Sequence, residues 1–239
     1  MSTYFTIGHS THVIGEFITM LLTEKIEMVV DVRTVPRSRT NPQFNGDTLR
    51  IVLAQHGIGY VHLAELGGLR GRQPSVKPSP NTFWHNQSFR NYADYALSDD
   101  FQVALQHLKR LGELRRCVIM CAELLWWRCH RRIIADYLIL SGATVIHIMG
   151  QGKTITARAT SAAHMKSDGK VVYFDPGQNT VGASASADNL HRQIERWLNE
   201  GGAGGEDNPV PMSGKADKRD WRPSTNGDEN QFKTAQRLM

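Results

Sequence analysis

The stretch that decides the fold occupies residues 117–148, Cys117-Val-Ile-Met-Cys-Ala-Glu-Leu-Leu-Trp-Trp-Arg-Cys-His-Arg-Arg-Ile-Ile-Ala-Asp-Tyr-Leu-Ile-Leu-Ser-Gly-Ala-Thr-Val-Ile-His-Ile148. Residues 117–121 are apolar and predict a buried strand. Residues 129–140 carry apolar side chains at helical spacing and predict a helix that ends near Gly142. Residues 144–148 predict another strand. Strands joined through helices favour a parallel sheet that is buried on both faces.

The preceding residues continue this alternation. Apolar runs at 4–8, 28–32 and 58–62 predict three more strands. Intervening helices are predicted from Phe17, Leu21 and Leu22, from an Asp47-capped segment with Leu49, Val52 and Leu53, and from a Ser98-capped segment with Phe101, Leu105, Leu108 and Leu111. We therefore expect an α/β fold with three layers, a mostly parallel sheet and helices on both faces.

This α/β domain is predicted to span residues 1–150. Within it, residues 66–91 form a long excursion with little regular structure, whose end packs down through the aromatic side chains Trp84, Phe89, Tyr92 and Tyr95. Residues 151–200 are expected to form a C-terminal extension with an edge strand at 171–174 and a helix at 187–200. Residues 201–239 begin with Gly-Gly-Ala-Gly-Gly and predict a flexible polar tail.

The composition favours a soluble protein with an anionic partner. The net charge is +5 and the pI is about 9.2. Residues 201–239 hold six basic and six acidic residues, so the excess lies in residues 1–200. A basic domain favours nucleic acid, nucleotide or phosphate as its ligand, and we expect DNA or RNA among the candidates. The oligomeric state is left open.

The compartment is predicted from the cysteines and from the hydropathy. The three cysteines, Cys117, Cys121 and Cys129, are an odd and clustered set, which is typical of a reducing compartment. The N-terminal residues lack the pattern of a signal peptide, and no apolar run approaches the roughly 20 residues that span a bilayer. We expect a cytoplasmic protein without a membrane partner.

Three polar residues follow three of the predicted strands. His9, Arg33 and Cys121 each come at the carboxyl end of a strand. Open α/β sheets bind ligands beyond these ends, so the three side chains are predicted to converge on one site. Asp31 is expected to pair with Arg33 beneath that site, and Arg37 and Arg39 to extend a basic rim.

Cys121 is the predicted nucleophile. Arg128, Arg131, Arg132 and the end of the following helix are expected to lower its pKa and to favour the thiolate. The alternative is an inert cysteine that is simply buried at the end of a strand. Glu123 lies two residues further and is a candidate general acid or base, or an anchor for one of the arginines.

The segment between Cys121 and the helix suggests contacts with a ligand. Indole rings beside a guanidinium, in Trp126-Trp127-Arg128, form a stacking platform for bases, or else one tryptophan fills the interface between sheet and helix. Cys129-His130-Arg131-Arg132 places cations at a helix N-terminus, where they are unfavourable unless an anion or a carboxylate neutralises them.

Two further patterns resemble ligand sites. Cys121, Cys129, His130 and His9 raise a metal-site hypothesis, but their spacing does not match the paired Cys-x-x-Cys of structural zinc, so neither a metal nor another cofactor is expected. Gly150-Gln-Gly-Lys-Thr154 resembles the end of a phosphate-binding P-loop. The first glycine of that motif is missing, since position 147 is histidine, and no helix is predicted after it.

Several motifs together resemble the DUF488 family of bacterial and phage proteins, which is named for its lack of an assigned function. The resemblance covers about residues 4–150. It is carried by the segments Ile7-Gly-His-Ser-Thr11, Asp31-Val-Arg33, Pro36-Arg-Ser-Arg39, Leu66-Gly-Gly68, Phe89-Arg90 with Tyr92-Ala-Asp94, and Met120-Cys-Ala-Glu123 with Trp127-Arg-Cys-His-Arg-Arg132. It implies a domain and a set of motif positions, but no reaction.

A weaker resemblance is to rhodanese-like domains. Val30-Asp-Val-Arg33 is similar to their Asp-Val-Arg strand end, and the order of strand, Cys121, loop, Arg128 and helix is similar to their active site. It implies Cys121 as nucleophile and Arg128 as anion clamp. The loop here is longer than in rhodaneses, lacks glycine and contains the bulky residues Leu124, Leu125, Trp126 and Trp127, which disfavours a tight cradle of N–H groups.

The first functional hypothesis is therefore an enzyme that acts on a phosphate-bearing or nucleic-acid substrate. In it Cys121 and Glu123 react and His9 or His130 transfers protons. The anion is held by Arg33, Arg37, Arg128 and Arg131, with Trp127 as a further substrate contact. The alternatives are a rhodanese-like sulfurtransferase, a non-catalytic nucleic-acid-binding module and a metal-dependent enzyme.

Overall fold

The computed structural model describes residues 2–175, which form eight strands and five α-helices. The strands are β1 (Thr3–Gly8), β2 (Met28–Asp31), β3 (Gly59–His62), β4 (Cys117–Cys121), β5 (Thr144–Gly150), β6 (Lys153–Thr156), β7 (Ala163–Met165) and β8 (Val171–Tyr173). The helices are α1 (Ile14–Thr23), α2 (Gly46–Gln55), α3 (Gln87–Tyr95), α4 (Asp99–Leu114) and α5 (Arg131–Leu140). Over residues 2–175, no helix is long and apolar enough to cross a membrane.

Six strands form one sheet in the order β3-β2-β4-β1-β5-β6. The first five strands run parallel, and β6 pairs antiparallel with β5 at the edge. In the centre of the sheet, Gly8 of β1 is in register with Cys121 of β4, and Met120 is in register with Asp31 of β2. The carboxyl ends of three neighbouring strands therefore meet at one edge of the sheet.

Helices cover both faces of the sheet. On one face, buried side chains of α1 and α2, such as Phe17 and Leu49, pack with Ile7 and Met120. On the other face, α3, α4 and α5 pack against the sheet in a second core. Ile119 of β4 and Ile133 of α5 lie in that core. The predicted α/β fold, with three layers and a mostly parallel sheet, is confirmed.

Two helices begin at residues other than those predicted from the sequence. The helix expected from Cys129 begins at Arg131 instead, because a 3₁₀ turn occupies Trp126–Arg128 and the N–H of Cys129 donates to the carbonyl of Trp126. The helix expected to be capped by Asp47 begins at Gly46, with Asn45 as the preceding residue. By contrast, the Ser98 hydroxyl caps α4 as predicted, accepting from the N–H of Phe101.

The excursion after β3 lacks α-helix and strand from residue 67 to residue 86. The end of the excursion packs against the core, as expected. Trp84 is buried, and it stacks on Phe89 with ring centroids 4.8 Å apart. Tyr92 is also buried, and its hydroxyl donates to the carbonyl of Leu66, which ties the two ends of the excursion together.

Of the residues after β5, β6 is exposed, whereas Val171 and Tyr173 lie in the core together with α3, α4 and α5. The strand expected at 171–174 forms as β8, but it pairs with β7 in a separate two-stranded sheet and not with the edge of the main sheet. Tyr173 is buried, and its hydroxyl donates to Asp136 of α5. The segment that resembles a P-loop turns directly into β6 at Lys153, so no helix follows it. The helix predicted at 187–200 and the tail at 201–239 lie outside the described residues.

Candidate functional site

A pocket of about 680 Å³ opens at the carboxyl ends of β1, β2 and β4. It brings together His9, Arg33 and Cys121, which the sequence placed at three strand ends. Other predicted site residues that line it are Arg37, Glu123, Arg128 and His130. Trp127 and Arg131 do not line it, although both belong to the loop and helix beside it.

Cys129 lies at the centre of the polar contacts in this pocket. Its Sγ atom is 3.2 Å from Sγ of Cys121, 3.3 Å from Nε of Arg131 and 3.6 Å from Nδ1 of His130. The imidazole is held in place because its Nε2–H donates to the carbonyl of Val32 at 3.1 Å. Cys121 is the last residue of β4, and Cys129 directly follows the loop. The strand thus positions one sulfur and the loop positions the other.

The two thiols have opposite acidities. Burial disfavours a charge on Cys129, but the hydrogen bond from Cys121 and the side chains of His130 and Arg131 outweigh it and hold the pKa of Cys129 well below its usual range. The hydrogen bond to Cys129, together with burial, raises the pKa of Cys121 well above its usual range. Because the Arg131 N–H points at Cys129, the thiolate forms there and Cys121 keeps its proton.

This arrangement corrects the sequence-based expectation of a lowered pKa at Cys121. His130 and Arg131, which follow the loop, instead lower the pKa of Cys129. The sequence suggests this second cysteine only as a metal ligand. The signal that could have identified it is its position beside His130 and Arg131, immediately before the helix.

Arg131 supports the loop from beneath. It is only 1% exposed, and its guanidinium donates to the main-chain carbonyls of Glu123 and Leu124 as well as to Cys129. The Glu123 carboxylate, in contrast, is exposed and accepts from the N–H of Leu125. The contact between Glu123 and an arginine is thus made by the main-chain carbonyl, and Glu123 lines the pocket.

Arg33 forms the predicted ion pair with Asp31. Its Nε lies 2.9 Å from Oδ1 of that carboxylate, and Nη2 contacts Oδ2 and also donates to the carbonyl of Phe44. The Tyr60 hydroxyl donates to the same carboxylate at 2.7 Å. Arg33 is therefore held rigidly, with Nη1 turned toward His9 and the pocket.

His9 is held as a neutral imidazole. Its Nδ1–H donates to the carbonyl of Ser10 at 2.9 Å, its Nε2 lies 3.2 Å from Nη1 of Arg33, and its ring stacks on Phe44. Burial, with the positive charge of Arg33, lowers its pKa to about 4. The lone pair of His9 accepts from Arg33, which disfavours a role for this imidazole in proton transfer.

Of the two uses that the sequence suggests for the tryptophans, a stacking platform or a filler between sheet and helix, Trp126 has the second. Trp126 stacks on the buried His147, with ring centroids 4.3 Å apart and an angle of 12° between the planes. Trp127 packs edge-on against Trp126 and is half-buried. One tryptophan therefore fills the interface with the sheet, and the exposed cation beside the pair, Arg128, reaches the pocket rim.

Two glycines allow the close approaches that build the site. A Cβ atom on Gly8 would lie 2.0 Å from the carbonyl oxygen of Glu123, so only glycine lets β1 end beneath the loop. A Cβ atom on Gly68 would lie 2.3 Å from Nδ1 of His130. The predicted excursion after β3 thus begins by closing over the histidine, a role that the sequence did not reveal.

Of the four residues suggested as metal ligands, three lie close together in the structure. The ligand atoms of Cys121, Cys129 and His130 lie within 4.8 Å of one another. His9, which the hypothesis also included, does not belong to this group within residues 2–175, because its Nε2 faces Arg33.

Residues 13–138 match the family described as "Domain of unknown function DUF488". The matched segment is more than half of the 239-residue chain and includes both cysteines of the pocket. The chain belongs to the DUF488 family. No curated protein and no solved structure matches it.

The loop of this DUF488 domain differs from the anion cradle expected of a rhodanese. The N–H groups of Arg128 and Cys129 donate to the carbonyls of Leu125 and Trp126 within the 3₁₀ turn. These two N–H groups are therefore not available to a substrate anion. The arginines that line the pocket are Arg33, Arg37 and Arg128.

Proposed function

We propose that this DUF488 domain is a cysteine-dependent enzyme that acts on a phosphate-bearing substrate, either a nucleotide or the end of a nucleic acid. Cys129 attacks, Cys121 and Arg131 stabilise its thiolate, and Arg33, Arg37 and Arg128 hold the anion. The observation that carries the proposal is the convergence of hydrogen bonds on one sulfur in an arginine-lined pocket.

The lining of the pocket supports an anionic ligand. Three arginines face it, against one carboxylate, that of Glu123. Arginine is suited to phosphate because its planar group donates two parallel hydrogen bonds. Arg33 is already oriented by Asp31, so a ligand finds it in place and little side-chain entropy is lost on binding.

The rim supports a ligand that also has an apolar part. Val35 and Leu69 are 58% and 83% exposed, and both lie at the pocket together with Phe89. Pockets for small ligands commonly have volumes of roughly 300–1,000 Å³. The volume here, about 680 Å³, suits one nucleotide whose base lies on the apolar rim and whose phosphate contacts the arginines.

The proposed reaction is a two-step transfer. The Cys129 thiolate attacks phosphorus and displaces an alkoxide, which takes a proton from solvent. Glu123 then removes a proton from water, the hydroxide attacks phosphorus, and the sulfur–phosphorus bond breaks to release phosphate and the thiolate. Glu123 is assigned the base role because its carboxylate is exposed at the pocket, whereas the lone pair of His9 is engaged.

The test is a screen of nucleotides and of 5′- and 3′-phosphorylated oligonucleotides against the wild type, Cys129→Ser, Arg128→Gln and the control Arg115→Gln. We expect phosphate release by the wild type and the control, none by Cys129→Ser, and binding weakened about tenfold or more by Arg128→Gln. Arg115 follows α4 and precedes β4, so it lies at the amino end of that strand, opposite to the end that forms the pocket. Equal activity of Cys129→Ser and the wild type would refute the proposal.

A rhodanese-like sulfurtransferase is the second candidate. It is favoured by one observation, the order of parallel strand, Cys121, loop and helix at the centre of the sheet. In that case thiosulfate would transfer its outer sulfur to a cysteine, and cyanide would accept it. A thiosulfate:cyanide assay on the same variants distinguishes the two, because phosphate release plays no part in it.

A non-catalytic nucleic-acid-binding module is the third candidate, supported by the basic charge. It predicts salt-sensitive binding of single- or double-stranded DNA or RNA that Trp127→Ala with Arg128→Ala abolishes and that Cys129→Ser leaves unchanged. The stacking of Trp126 on His147 removes one of its two suggested base contacts.

A further inference from the structure

The two sulfurs in the pocket are close enough to react with each other. Cys121 and Cys129 have Sγ atoms 3.2 Å apart, and both are cysteines with free thiols. A disulfide bond is about 2.05 Å long, so closing it needs a movement of roughly 1 Å. Cys121 lies in β4, whereas Cys129 directly follows the 3₁₀ turn at Trp126–Arg128, so a shift of that turn would close the bond without moving the sheet.

The pair is chemically asymmetric in the way that oxidation requires. The Cys129 sulfur lies within hydrogen-bond distance of Arg131 and Cys121, and both contacts favour its thiolate, the form of a cysteine that reacts with peroxide. Cys121 keeps its proton next to it. Both side chains line the pocket, so a small oxidant has a route to the thiolate.

We propose that Cys121 and Cys129 form a reversible redox pair, which hydrogen peroxide oxidises to an intramolecular disulfide. The proposal takes from the proposed function only that Cys129 is the reactive thiolate, and it does not depend on the substrate. The disulfide removes the attacking sulfur, so oxidation switches the site off and protects Cys129 from irreversible oxidation.

Two steps account for all atoms and electrons. The Cys129 thiolate attacks one oxygen of hydrogen peroxide, the O–O bond breaks, and the departing hydroxide takes a proton from solvent and becomes water. Cys129 is then a sulfenic acid. The sulfur of Cys121 attacks that of Cys129 and displaces the hydroxyl group, which leaves as water with the proton of Cys121. Two thiols are oxidised, and one peroxide is reduced to two waters.

The reverse reaction needs a small thiol. A thiolate attacks the disulfide and a second one completes the exchange, which restores both cysteines and oxidises the reductant. We expect Cys129 to be the better leaving group, because Arg131 stabilises its thiolate. Reduction therefore returns the nucleophile directly to its active form.

The experiment treats the full chain with hydrogen peroxide and follows intact mass and disulfide-linked peptides. Cys117 supplies the matched control, since it lies buried at the far end of the same strand, and burial raises its pKa to about 11. We expect the wild type and Cys117→Ser to lose two hydrogens each and to yield one Cys121–Cys129 linkage that dithiothreitol reverses. Cys121→Ser is expected to accumulate sulfenic, then sulfinic, acid at Cys129.

Three outcomes would overturn the proposal. They are a wild type in which Cys129 reaches the sulfinic acid without a linkage, a linkage that involves Cys117, and a purified protein whose stoichiometric metal ion, lost in Cys121→Ser, blocks oxidation. The first two are read on the wild type, so they hold even if Cys121→Ser fails to fold. If the linkage forms but no phosphate substrate is turned over, the redox pair stands and the proposed function falls.

Discussion

Nε2 of His9 lies 3.2 Å from Nη1 of Arg33, and the arginine is itself paired with Asp31. A guanidinium cannot accept a hydrogen bond, so the imidazole nitrogen facing it must carry the lone pair. The contact thus fixes one tautomer of His9, with the proton on Nδ1 toward Ser10. It converts a histidine that is conspicuous in the sequence into a neutral support for the arginine of the pocket.

The first prediction is that His9 does not titrate near pH 6.5. Burial lowers its pKa to about 4. Ring signals followed by NMR, assigned with His9→Gln, should show a midpoint near this value. A midpoint above 6 would mean that the ring is solvated or that its partner is a carboxylate, and would contradict the contact between His9 and Arg33.

A second prediction concerns stability in acid. Because the folded-state pKa of His9 is lower than the unfolded value, its contribution is fully present above pH 6.5 and is lost as the pH falls toward 4. The loss is about 3 kcal/mol, from 1.36 kcal/mol for each pH unit. Urea unfolding at pH 7 and pH 4 should show a decrease in the wild type that is larger by about this amount than in His9→Gln.

The third prediction concerns Asp136, whose pKa shift changes the stability with pH in the opposite direction to that of His9. Burial raises the pKa of this carboxyl to about 6, although the N–H of Thr160 and the hydroxyl of Tyr173 donate to it. Its contribution is present below pH 4 and is lost as the pH rises through 6, again by about 3 kcal/mol. Asp136→Asn should remove this decrease in the free energy of unfolding. An unchanged profile would show that the folded protein does not favour the protonated carboxyl.

The fourth prediction uses two glycines of the same loop. Gly68→Ala places a methyl group 2.3 Å from Nδ1 of His130, whereas a Cβ on Gly71 has no atom within 4 Å. We expect Gly68→Ala to cost about 1–3 kcal/mol of stability, to displace His130 and to raise the pKa of Cys129. Gly71→Ala should leave both quantities close to those of the wild type. Thermal unfolding and ultraviolet thiolate absorbance measure them, and equal behaviour of the two variants would contradict the contact.

The sequence was sufficient for the fold because its signals there are local. Apolar runs such as Val29-Val30 and Val118-Ile119 mark strands, and their alternation with helices implies the parallel order that the structure shows. It also placed His9, Arg33 and Cys121 at one edge, since parallel strands share a direction. These inferences need no knowledge of which side chains touch.

The roles within the site were not predictable in the same way. Whether Arg131 acts on Cys121 or on Cys129 depends on how the 3₁₀ turn at Trp126–Arg128 folds back, and the spacing of the residues does not determine this. The contact of Trp126 depends on His147, which follows it by 21 positions and lies in β5. Long-range contacts of this kind decide acidity and exposure, and hence chemistry.

The fifth prediction tests the acidities of the two thiols. Cys121→Ala removes the thiol that lies within hydrogen-bond distance of Cys129 and lowers its pKa, so the pKa of Cys129 should rise even though Arg131 still donates to its sulfur. Cys117→Ala removes a thiol whose pKa burial raises to about 11, and it should leave the titration of Cys129 unchanged. Thiolate absorbance against pH measures both, with Cys129→Ala to assign the transition. If the transition remained in Cys129→Ala and disappeared in Cys121→Ala, the thiolate would belong to Cys121, and the roles of the two cysteines would have to be exchanged.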